Sequence, residues 1–154
     1  SDPAAARYLT DVIIRRRDKV VAFWISQTNP LDAFAVHADA AGAELTFENA
    51  AIRLGVAQPR AAYEVQWSAL DNQRGVERAI GTDLDVAEPR LAIPETSWGP
   101  RDEAGFRYAT ASIRTVHADF PHWTRPMRVT LRTRYGAVDV VGIERPVGDG
   151  AKSF

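Results

Sequence analysis

Apolar and polar positions alternate with a period of two along much of the chain, most clearly from Phe106 to Arg145. Three strands are predicted there, at 106–116, 126–134 and 137–145, with Tyr135-Gly136 turning the second into the third. Met127, Val129 and Leu131 share one face of the middle strand and are expected in the core. Arg128, Thr130, Arg132 and Arg134 share the other face.

The same pattern recurs upstream. In residues 63–70, Tyr63, Val65 and Trp67 point one way and Glu64, Gln66 and Ser68 the other. Asp71-Asn72-Gln73-Arg74-Gly75 then reads as a turn closed by glycine, and 76–80 as its return strand. Residues 33–39 and 43–49 alternate around Ala40-Ala41-Gly42, with Phe34 and Val36 on one face and Leu45 and Phe47 likewise together. Residues 50–60 form a connection with room for one helical turn. Residues 81–104 hold Pro89, Pro94, Gly99 and Pro100, which leaves space for one short strand at 90–93 in a long surface loop.

The start of the chain is ambiguous. Segments 8–15 and 20–26 are rich in β-branched and aromatic residues and flank Arg16-Arg17-Asp18-Lys19. In one helix the charged block interrupts the apolar stripe for more than a turn; in a hairpin it sits at the tip. The run Val12-Ile13-Ile14 favours the hairpin, with Trp24 and Trp67 filling the core. Residues 1–6 and 147–154 are expected to fray. Strands roughly ten residues apart predict an all-β fold: one domain, 1–154, forming an antiparallel, immunoglobulin-like β-sandwich of about seven to ten strands.

Composition narrows the function classes. Of the 154 residues 45% are hydrophobic and 25% charged, as in ordinary globular domains. A formal net charge of −1 argues against a nucleic-acid or anionic-membrane binder acting through the whole domain, while leaving a local basic patch open. Without cysteine, disulfides and thiolate metal sites are excluded and the compartment stays open. The longest apolar run, Val20 to Ile25, is far too short to span a bilayer. No signal peptide is recognisable, and Ser1-Asp2-Pro3 in place of an initiating Met fits a chain trimmed from a longer protein. Only Lys19 and Lys152 among the 19 basic residues are lysine, a bias expected of a GC-rich bacterial genome.

Three constellations are chemical candidates. His117, Asp119 and His122 bring imidazole and carboxylate together within six residues, a donor set suited to zinc and similar ions, with His37 or Asp39 from the upstream copy of the Val-His-Ala-Asp tetrapeptide as a further ligand. That tetrapeptide, at 36–39 and 116–119, reads as coincidence, because a hairpin precedes the first copy and follows the second. Trp98 and Trp123 lie in loops, where an exposed indole stacks on a sugar or anchors a protein. Arg128, Arg132 and Arg134 form an outward row suited to an anionic ligand, or to pairing with acids such as Asp139 and Glu144. There is no Gly-x-Ser-x-Gly elbow, phosphate loop or dinucleotide fingerprint.

The expectation is a non-catalytic binding or accessory module of a larger secreted or envelope protein. It would recognise a protein or carbohydrate ligand through loops 82–104 and 117–125, with no cofactor and no nucleic acid. The alternative is a metal-dependent or acid–base enzyme centred on His117, Asp119 and His122.

Overall fold

The computed structural model describes residues 3–39 and 42–145. They form two α-helices and eight strands: α1 (Pro3–Gln27), β1 (Leu31–Asp39), β2 (Gly42–Asn49), α2 (Ala50–Arg53), β3 (Ala62–Asp71), β4 (Val76–Val86), β5 (Arg90–Ala92), β6 (Arg107–Val116), β7 (Met127–Arg134) and β8 (Ala137–Glu144). Short 3₁₀ turns lie at Glu95–Ser97 and Pro121–Thr124. All pairings are antiparallel, in a five-stranded sheet ordered β4-β3-β6-β7-β8 and a three-stranded sheet ordered β1-β2-β5. The strand count and the antiparallel pairing match the sequence expectation.

The two sheets close on one core. Leu31, Leu45, Phe47 and Leu91 from the smaller sheet meet Val65, Trp67, Ile113, Met127, Val129 and Leu131 from the larger one. Leu31, Leu45, Val65, Ile113, Val129 and Leu131 are fully buried, each stabilising the fold by about 2 kcal/mol relative to exposure. Met127, Val129 and Leu131 are the inward set of β7, as their alternation predicts.

The predicted N-terminal hairpin is not formed. Residues 3–27 are one continuous helix. The expected tip, Arg16-Arg17-Asp18-Lys19, holds no Gly, Asn or Pro to reverse the chain, so nothing there interrupts a helix begun upstream. From Ala4 to Gln27 there is no Gly or Pro, while Ala, Arg, Lys and Leu favour the helix. The hydroxyls of Thr10 and Ser26 donate back to the carbonyls of Ala6 (2.9 Å) and Phe23 (2.7 Å). Pro3 to Ala6, expected to fray, are the helix's first turn; residues 1, 2 and 146–154, and the hairpin tip at Ala40-Ala41, lie outside the described residues. Trp24, expected in the core, is 63% exposed.

The exit of α1 is clamped to the sheet by Asn29, which is buried. Its amide nitrogen donates to the carbonyls of Ile113 (2.9 Å) and Arg125 (3.0 Å), and its oxygen accepts from the Thr115 hydroxyl (2.7 Å). One side chain therefore joins the helix exit, β6 and the segment leading into β7.

Candidate functional site

The loops expected to display tryptophan bury it instead. Trp98 is 8% exposed and Trp123 is fully buried. Arg107 holds the first segment against β6: its Nη2 donates to the Trp98 carbonyl (3.1 Å) and its Nε to that of Gly99 (3.0 Å). The Gly99 N–H donates to the Tyr108 carbonyl (2.8 Å). Trp123 stacks on Phe120, centroids 4.2 Å apart, and its indole N–H donates to the Ile25 carbonyl of α1 (2.9 Å). Neither ring is free to stack on a ligand, because each has found a partner for its apolar face in the fold.

The histidine loop does not assemble a metal centre. His117 is buried against Phe120 and Trp123, whereas Asp119 and His122 face solvent. His117 Nδ1 accepts from the Asp119 backbone N–H (3.2 Å) and lies 3.9 Å from the Asp119 carboxylate. That bond places the ring proton of neutral His117 on Nε2, which is buried without a partner. Neither nitrogen then offers a lone pair to a metal. Among the described residues no three His, Asp or Glu side chains are grouped to hold an ion, and His37 and Asp39 do not join the loop.

The arginine row is outward, as the alternation implies, and much of it is engaged. Arg128 pairs with Glu77 and Arg132 with Asp139 (3.2 Å). The guanidiniums of Arg132 and Arg134 lie over the Phe106 ring at 4.6 and 4.9 Å, and Arg134 also lies over Tyr135. Such contacts carpet the sheet face with charge and aromatic surface. Nearby, burial and the Asp102 carboxylate push the Tyr108 hydroxyl above the usual tyrosine pKa, against the pull of Arg132.

A different feature has the character of a binding site. Where β2 runs into α2, a groove of about 450 Å³ opens between Phe47, Ile52, Pro59, Ala61, Tyr63 and Pro89. Its lining is mostly apolar, and Arg53 and Glu48 form an ion pair at its rim (2.9 Å). Asn49 belongs to its wall. The Asn49 side-chain oxygen caps α2 by accepting from the N–H groups of Ala51 (3.1 Å) and Ile52 (3.2 Å). Its amide nitrogen is buried, with the Tyr63 hydroxyl as its neighbour. It lies close enough to the Tyr63 hydroxyl to ease, but not to cancel, the upward push of burial on the Tyr63 pKa.

The capping role fixes the other end of the same amide and so holds the nitrogen beside the Tyr63 hydroxyl. The capping half was readable, because Asn before Ala-Ala-Ile is a helix-start signal. The burial of the other half depends on Phe47, Pro59 and Pro89 converging from three segments, which local pattern does not encode. No family model, curated protein or solved structure matches the chain.

Proposed function

We propose that the chain is a non-catalytic binding module whose ligand seat is the groove beside Asn49, and not loops 82–104 and 117–125. The observation that carries this reading is the groove itself: a mostly apolar lining from Phe47, Ile52, Pro59, Ala61, Tyr63 and Pro89, with the Asn49 side chain fixed in its wall by the α2 cap. Apolar walls with one fixed polar group are how small-ligand sites combine affinity with orientation. The chemistry fits a ligand with a short apolar body, such as an aliphatic side chain of a peptide. A sugar fits less well, since Trp98 and Trp123 are turned inward. The immunoglobulin-like arrangement expected from strand spacing is not needed for this reading; two antiparallel sheets sharing one core suffice.

The lining favours binding over catalysis. Glu48 is engaged by Arg53. Tyr63, with its pKa raised by burial, stays a neutral phenol at physiological pH. The test is an amide NMR titration with N-acetyl-leucinamide. Saturable shifts confined to Phe47, Asn49, Ile52 and Tyr63 are expected. Ile52→Ala strips apolar area from the groove wall and should weaken the probe about tenfold. Shifts that fail to saturate at millimolar probe, or that scatter over the surface, refute the seat.

A further inference from the structure

We infer that α1 is a membrane-surface helix, lying in the plane of an anionic lipid leaflet while the β body stands on its opposite side. The inference uses a different surface from the groove and does not depend on it.

No residue of α1 is buried, although it is 25 residues long. At 100° per residue, Leu9, Val12, Ile13, Val20, Phe23 and Trp24 fall within one arc of about 120°. Leu9, Ile13, Val20, Phe23 and Trp24 are each more than half exposed. The half-buried residues near the end of the helix, Val21, Ala22, Ile25 and Ser26, lie on the opposite side. It is there that α1 meets α2 and the Pro121–Thr124 turn. The apolar stripe thus faces away from the protein's own core.

Charge decides among the surfaces that could cover it. Arg7, Arg15, Arg16, Arg17 and Lys19 against Asp11 and Asp18 give α1 a net charge of +3, while the whole chain carries −1. The rest of the molecule is therefore acidic, and an anionic surface attracts the helix and repels the body. A second copy is the wrong cover. Arg16 sits in the middle of the stripe, so two α1 helices packed stripe to stripe, parallel or antiparallel, bring like charges together at the seam.

A lipid leaflet has no such conflict. Arg16, Arg17 and Lys19 extend their stems to the headgroup phosphates while the stripe enters the acyl boundary, and Phe23 and Trp24 suit that boundary. Spanning is not the mode, because no helix among the described residues is long and apolar enough to cross a membrane.

Trp24 provides the readout. Trp67, Trp98 and Trp123 are buried, so a change in tryptophan emission on surface binding comes from Trp24. The intact protein should sediment with mixed phosphatidylcholine–phosphatidylglycerol vesicles, with Trp24 emission shifted to the blue, and stay in solution with phosphatidylcholine alone. High salt should release it. Replacing Arg15, Arg16, Arg17 and Lys19 by Gln should weaken the partitioning by at least about a hundredfold. Ile13→Asp should abolish the blue shift with the circular dichroism unchanged. Failure to bind the anionic vesicles, or binding with Trp24 emission unaltered, overturns the inference. So does a dimer that dissociates on Ile13→Asp, which would give the stripe to a second copy.

Discussion

Single residues carry constraints that neighbouring sequence does not announce. Gly99 is buried and its φ is ordinary, so its conformational freedom is not the point. Its backbone lies against β3 so closely that a methyl group at its Cα would overlap the Leu70 carbonyl. Gly99→Ala must therefore move either the Trp98 segment or the end of β3, an inner strand of the five-stranded sheet. A loss of about 2 kcal/mol or more is expected, measured as a lower urea midpoint with the slope unchanged. A loss below about 0.5 kcal/mol would show that the segment relaxes freely. Glycine in a Pro-rich stretch signals a turn, and around Gly99 the reading of 81–104 as loop agrees with the structure, whereas β4 runs on to Val86 where loop was expected. The close packing under Gly99 depends on Leu70, almost thirty residues away, and has no local signature. Asn49 is the mixed case, with its capping oxygen legible and its buried nitrogen not. The burial of Trp98 and Trp123 was likewise hidden, because both rings are covered by segments distant in sequence: Arg107 pins the first and α1 receives the second.

At the scale of elements, alternation read the strands well and the helix badly. The arms at 33–39 and 43–49, the Asp71–Gly75 turn and the last three strands form where period-two patterning places them. There one face is buried and the other wet, the condition under which that period appears in a sequence. The helix α1 has almost no buried face of its own, so no core imposes a period on it, and its β-branched residues outweighed the missing turn glycine. What ties it to the sheets is Asn29, whose partners at Ile113, Thr115 and Arg125 lie 84 to 96 residues away and leave no local signature. Asn29→Leu is close in size but strands the Thr115 hydroxyl and the Ile113 and Arg125 carbonyls. A destabilisation of roughly 3 kcal/mol is expected, from several lost buried bonds at about 1 kcal/mol each plus desolvation of the orphaned groups. Thermal unfolding of the variant checks it, and an unchanged midpoint would mean that water takes over those bonds.

For the whole molecule, core and helix are energetically separate. The hydrophobic core contains no residue of α1, and the chief contacts of the helix run through α2 and Pro121–Thr124. Removing residues 3–19 should leave the β body folded, with its melting temperature within about 5 °C of the intact protein, since no buried side chain is lost. Calorimetry tests this, and a collapse of the transition would show that the exposed stripe is structural after all. The same separation has a mechanical meaning. A helix of 25 residues is ~37 Å long. Gripped at one end by Asn29, it is a lever: tilting it by about 10° at the clamp carries its far tip roughly 6 Å. Its short arm is wired by hydrogen bonds to Ile113 and Thr115 on β6, in the middle of the larger sheet. Torque applied at the free end of α1 is thus delivered to the end of the central strand of the larger sheet and not to an edge strand.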